Sequence, residues 1–121
     1  MKTIHIPAHD GQLLAACRFD PPDANAPAKA AVVIAPAMAV PQSFYAAFAQ
    51  YLAGCGFTVW TFDYRGTGQS LRGSMRGAKA DLSDWITQDY DAVVLHAANA
   101  LPGMPLFAVG HSFGGQCVPL L

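Results

Sequence analysis

Pro105-Leu106-Phe107-Ala108-Val109-Gly110-His111-Ser112-Phe113-Gly114-Gly115-Gln116 is a short apolar run that breaks at a serine flanked by glycines. The layout is G-x-S-x-G, a nucleophile elbow, in which a buried strand turns sharply into a helix with the serine at the strained corner. Glycines two residues to either side remove side chains that would collide there. Gly110, Ser112 and Gly114 occupy the three fixed positions. Three such positions arise by accident in about 4% of chains this long, so the flanking sequence has to decide. Leu106 to Val109 are four apolar residues that read as a buried strand, and Pro105 marks its entry.

Upstream the same kind of unit recurs. Residues 3 to 7 and 12 to 19 read as two strands around His9-Asp10-Gly11-Gln12, an Asp-Gly turn signal, and so as an opening hairpin. Residues 20 to 27 combine turn formers with prolines and read as an exposed loop. Ala30 to Ala35 is uniformly apolar, as a strand covered on both faces should be. Phe44, Phe48, Tyr51 and Leu52 then recur at helical spacing, and Gly54 ends that run. Residues 57 to 62 make the next strand, 63 to 80 a polar loop, and 81 to 100 a helix. In that helix Asp81 is the expected N-cap and Leu82, Trp85, Ile86, Tyr90, Val93, Val94 and Ala97 form the apolar stripe.

Strands alternating with helices imply an α/β fold: a mostly parallel sheet, opened by an antiparallel hairpin, with helices on both faces. Ser112 then stands at the carboxyl end of the third parallel strand, where open α/β sheets place their sites.

The composition narrows the function classes. At 121 residues the chain suits a single domain, 1–121. Hydrophobic residues make up 53% and charged residues 12%, against about a quarter charged in ordinary soluble proteins. Such a surface is either covered by something further or sticky. No apolar run approaches the roughly 18 residues of a membrane helix, and the amino terminus has no signal-peptide h-region, so the expected compartment is the cytoplasm. A net charge of −1 with scattered arginines lacks the footprint of a nucleic-acid binder. All eight acidic residues are Asp, which leaves no Glu to serve as a base. Cys17, Cys55 and Cys117 match neither a C-x-x-C metal site nor a disulfide framework and read as reduced thiols. The reading requires no cofactor and no metal.

Four segments carry a resemblance: Ile34-Ala35-Pro36-Ala37-Met38-Ala39-Val40-Pro41-Gln42, Phe62-Asp63-Tyr64-Arg65-Gly66-Thr67-Gly68-Gln69-Ser70, Asp84-Trp85, and Gly110 to Gln116. In order and approximate spacing they resemble the α/β-hydrolase superfamily, near its serine-aminopeptidase-like and monoacylglycerol-lipase-like hydrolases. The resemblance covers essentially the whole chain and implies the amino-terminal half of the fold. It also implies that Ser112 is the nucleophile of acyl transfer, with the backbone N–H groups of Phe113 and Met38 as the two oxyanion donors. Many relatives carry His-Gly where this chain has Pro36-Ala37. By the same resemblance, Asp63 and Arg65 fall in a family element that shapes the loop beside the elbow, and they read as structural support. The Gly66-Thr67-Gly68 glycines do not complete a dinucleotide fingerprint, since Leu71 stands where glycine is needed.

His111 adjoins Ser112 across a sharp turn and is expected to pack near the elbow instead of acting as base. His5, His9 and His96 are expected on a hairpin and a helix away from the strand ends. The superfamily order is Ser, then acid, then His, and neither follows Ser112 here. Two readings result. One is the front of a serine hydrolase of esters, amides or thioesters, turning over a small acyl substrate if a carboxyl-terminal half completes it. The other is a catalytically silent fragment, at most a binding module. Both leave the elbow strand as an exposed sheet edge through which copies would associate. Pro119, close behind the elbow, predicts a short or kinked helix.

Overall fold

The computed structural model describes residues 1–70 and 82–121. Five strands form one sheet in the order β1-β2-β4-β3-β5: β1 Lys2–Pro7, β2 Leu13–Phe19, β3 Ala31–Ala35, β4 Thr58–Phe62 and β5 Leu106–Gly110. The β1–β2 hairpin is antiparallel and joins β4 antiparallel, whereas β3 pairs parallel with both β4 and β5. This is the expected α/β sheet. Because β2 opposes β4, the hairpin tip lies at the same end of the sheet as the carboxyl ends of β3, β4 and β5.

Every residue of β3 and β4 is buried, which is why both read as unbroken apolar or β-branched runs. Alternate side chains feed two cores. Ala31, Val33 and Ala35 join Trp60, Phe62, Tyr90, Val93 and Ala97 on one face. Val32 and Ile34 join Val59, Tyr45, Ala49 and Ala53 on the other. Helix α1, Ala46–Gly54, covers this second face. The first is covered by α2 Leu82–Asp84, a π-helical segment Trp85–Tyr90, and α3 Asp91–Ala100. Asp81, the expected N-cap, lies outside the described residues.

Three local features differ from the sequence reading. β5, expected to be buried, is half-exposed, because it is the last strand of the sheet. The face α1 buries is Ala49 and Ala53. Phe44, Phe48 and Tyr51 point outward, at 68%, 45% and 67% exposure. Methyl groups let the helix approach the sheet, while the Phe44 and Phe48 rings line a surface cavity with Ile34, Val109 and His111. The left-handed residue behind α1 is Gly56 (φ 102°), two residues past Gly54. In the second helical stretch the π turn brings two successive residues, Asp89 and Tyr90, to full burial, as a wider turn permits.

Asp89 is there to receive Arg65. The Arg65 N–H donates to Asp89 Oδ2 at 2.8 Å, and its Nε and Nη2 donate to Asp89 Oδ1 at 2.9 and 2.7 Å. Nη1 and Nη2 also reach the two Asp10 carboxylate oxygens at 2.8 and 2.9 Å. One guanidinium thus fastens the hairpin tip to the π segment. Next to it, His9 Nε2 lies 2.9 Å from Asp91 Oδ2 and the His9 N–H donates to the Gln88 carbonyl at 3.0 Å. Burial pushes the Asp89 carboxyl above its ordinary value, with Arg65 opposing it. The Arg65 guanidinium holds exposed Asp10 below its ordinary value.

Removing one member of a buried ion pair strands the other, at about 3–5 kcal/mol. Asp89→Ala should therefore lower unfolding free energy by about that amount in urea titrations, and a loss below ~1 kcal/mol would contradict the clamp. For Asp10 the depressed carboxyl stabilises the fold above its unfolded value of 3.8 and stops doing so as pH falls through the lower folded value. The stability difference between native protein and Asp10→Asn should accordingly be full at neutral pH and vanish in acid, read by melting temperature against pH.

Candidate active site

β5 ends at Gly110, His111 bridges, and helix α4, Phe113–Cys117, begins directly after Ser112. Ser112 has φ 55° and ψ −112°, a conformation that a side chain rarely adopts and that the surroundings must impose. Its hydroxyl is at an exposed corner. The glycines allow the turn to close. A Cβ on Gly110 would meet the backbone of Gly114 and Gly115, and one on Gly114 would meet the carbonyl of Ala35 at the end of β3. Gly115 is less constrained, its nearest contact being Gly110 O at 3.0 Å. The His111 N–H also donates to Ala35 O at 3.1 Å, so the elbow is stitched to β3. After Cys117 the chain tightens into the 3-10 turn Val118–Leu120, which contains Pro119; the helix behind Ser112 is short.

The loop after β3 faces the elbow. Met38 and Ala39 form a turn in which the Val40 N–H donates to Ala37 O at 3.2 Å, and Ala39 has φ 61°. Ala39 and Ser112 are the two non-glycine residues with positive φ among the described residues. Among the described residues neither the Met38 nor the Phe113 N–H donates to another protein group. The Phe113 ring stands edge-on to Tyr64 and Trp85, at centroid distances of 5.7 and 5.8 Å, which holds the first residue of α4 in place. Tyr64 in turn stacks on Trp85 at 4.9 Å and donates its hydroxyl to Pro36 O at 3.2 Å. A single aromatic cluster therefore supports both the elbow and the root of the Met38 loop.

The other ionisable candidates have different work. Buried Asp63 accepts from the Gln42 N–H and side-chain amide at 2.8 and 3.0 Å and from the Gln69 N–H at 3.1 Å. A Cβ on Gly68, whose φ is 49°, would lie 2.6 Å from that carboxylate, which explains glycine there without a phosphate. The cavity between Met1, Thr3, Cys17, Phe19, Gln42 and Asp63 lies away from Ser112. His111 is exposed, yet its Nδ1 is held 2.9 Å from the Tyr45 hydroxyl and its ring lies parallel to Phe44. His96 stands edge-on to Trp60, and burial pushes its imidazole below its ordinary value. His5 is exposed on β1. His9 does share Ser112's end of the sheet, contrary to expectation, because the hairpin tip is there; but β4 and β3 separate β2 from β5, about 14 Å across. Gln42, Tyr45 and Asp89 escaped the sequence reading. For Asp89 a signal existed, since it interrupts the apolar stripe four residues after Trp85 and four before Val93.

If the close approach to Ala35 holds the elbow, Gly114→Ala should cost about 1–3 kcal/mol through overpacking, and Gly115→Ala, whose nearest contact is the longer 3.0 Å to Gly110 O, should cost less. Equal melting temperatures for the two variants would contradict this.

Comparison with known proteins gives these features a context. A family model described as serine aminopeptidase, S33 matches residues 26–121. The monoacylglycerol lipase of Mycolicibacterium smegmatis is 37% identical over 87 residues, covering 72% of this chain and 30% of that protein. Among solved structures, an α/β serine hydrolase without lid from Xanthomonas campestris superposes with a TM-score of 0.74 at 20% identity, over 96% of this chain and 52% of the other. A soluble variant of the Saccharomyces cerevisiae monoglyceride lipase, in complex with a substrate analogue, does so with a TM-score of 0.75 at 22% identity, over 95% and 38%. The chain thus spans about a third of the lipase's length and about half or less of these solved chains. With its strand order, elbow and matched residues taken together, the chain belongs to the serine aminopeptidase S33 family and has the amino-terminal part of an α/β-hydrolase fold.

Proposed function

We propose that this chain supplies the nucleophile half of a serine hydrolase acting on carboxylic esters, with amides and thioesters as further acyl substrates. The Ser112 hydroxyl attacks the acyl carbon, its proton passes to a histidine base, and the alcohol leaves with that proton to give an acyl-enzyme that water then cleaves. The oxyanion formed in each step accepts from the N–H groups of Met38 and Phe113. The observation that carries the reading is the pair of strained non-glycine residues, Ala39 and Ser112, flanking two N–H groups without protein partners. The esterase and lipase names among the relatives support the substrate class.

The base and its acid come from outside the described residues, since His111 is held by Tyr45 and His9 by Asp91. On this reading the carboxyl-terminal part of the fold pairs with the free edge of β5, where Phe107 and Val109 are 54% and 39% exposed. Without it, a second copy takes that edge and the chain is catalytically silent. No helix among the described residues is long and apolar enough to cross a membrane. The three cysteines are free thiols, in keeping with a cytoplasmic setting.

A fluorophosphonate probe should label Ser112 in the protein expressed from its complete reading frame, and Ser112→Ala should abolish both labelling and hydrolysis of 4-nitrophenyl butyrate. Equal labelling of the two proteins would remove Ser112 as nucleophile. Labelling of neither would favour the silent fragment.

A further inference from the structure

The link between Ala37, Tyr45 and His111 has no part in the chemistry described so far. Tyr45 closes the 3-10 turn Gln42–Tyr45 ahead of α1, and it is 7% exposed. Its hydroxyl accepts from the Ala37 N–H at 2.8 Å and lies 2.9 Å from His111 Nδ1. A phenol has one proton. The Ala37 N–H occupies one lone pair of the oxygen, and we take the hydroxyl proton to be directed to His111 Nδ1 and the imidazole proton to lie on Nε2. The same histidine donates its backbone N–H to Ala35 O at 3.1 Å. One hydroxyl thereby joins the residue before Met38 to the residue before Ser112, across the ends of β3 and β5.

We propose that Tyr45 is a positioning residue of the oxyanion hole: its hydroxyl sets the spacing between the Met38 loop and the elbow, so that the Met38 and Phe113 N–H groups converge on one oxygen. The proposal rests on the reading of Ser112 as nucleophile. Each loop contains a residue in a left-handed conformation, Ala39 and Ser112, which surrounding contacts must maintain. The Tyr45 hydroxyl is a contact shared by both loops. Oxyanion donors work by being aimed beforehand at charge that develops only in the transition state. Loosening their spacing should therefore lower kcat and leave substrate binding nearly unchanged.

The test uses Tyr45→Phe, His111→Gln and the double variant, in the protein expressed from its complete reading frame, with 4-nitrophenyl butyrate as substrate. Active sites are counted by fluorophosphonate titration, so that misfolded protein does not enter kcat. Tyr45→Phe should lower kcat by about tenfold to a hundredfold, with KM within about twofold. Because Tyr45 acts on the elbow through His111, the double variant should be no slower than the slower single variant. Nitrogen-15 NMR of the imidazole should show an unprotonated Nδ1 in the native protein and loss of that single tautomer in Tyr45→Phe. His111 is exposed, so its variant tests the link even where Tyr45→Phe folds poorly. An unchanged kcat per titrated site in either single variant, multiplicative losses in the double variant, or a native His111 protonated on Nδ1 would overturn the proposal. Hydrolysis and labelling that survive Ser112→Ala would instead overturn the reading beneath it.

Discussion

The carbonyl of Ala35 is the point on which the candidate site is assembled. It accepts the His111 N–H, and it lies so close to Gly114 that a Cβ there would overlap it. Strand β3 therefore holds the end of β5 and the start of α4 at the separation of bare backbones. A side chain at position 110 would collide with the backbone of α4 and one at position 114 with the end of β3, and either would lift Ser112 off its corner. Close packing leaves no room to absorb such a change. Two cores support the contact from either side: the aromatic cluster of Tyr64, Trp85 and Phe113, and the alanine face of α1 with Tyr45.

Charges in this chain are spent on holding loops. Arg65 bridges Asp10 and Asp89 and so ties the hairpin tip to the π segment, while Asp63 gathers Gln42 and Gln69. Gln42 in turn accepts from the Thr61 hydroxyl at 2.8 Å and donates to the Ala15 carbonyl at 3.2 Å. Buried carboxylates in this arrangement have their lone pairs occupied by donors within the chain. They define the loops around the candidate site.

Much of the fold was legible because it rests on local regularities. Uniform apolar runs at Ala30 to Ala35 and Leu106 to Val109 marked the parallel strands, and the glycine spacing around Ser112 marked the turn. The failures were of a different kind. Phe44, Phe48 and Tyr51 have helical spacing but face outward, since periodicity finds a stripe without saying which stripe meets the sheet. Asp89 lies on the apolar stripe between Trp85 and Val93, so its place was legible and only its charge argued against burial. Nothing in the sequence around Tyr45 marks it apart from the neighbouring aromatic residues.

The sequence by itself determined the order of strands and helices, the parallel core and the identity of the elbow, because chain neighbours and side-chain periods decide those. Tertiary structure alone decided that Ala37, Tyr45 and His111 form one link, that Arg65 holds both Asp10 and Asp89, and that Ala35 seats Gly114. Each of these joins residues from separate elements, with side-chain hydrogen bonds that span from 8 positions, Ala37 to Tyr45, up to 66, Tyr45 to His111. Their meeting depends on how the sheet and helices stack, which is a property of the packed chain as a whole.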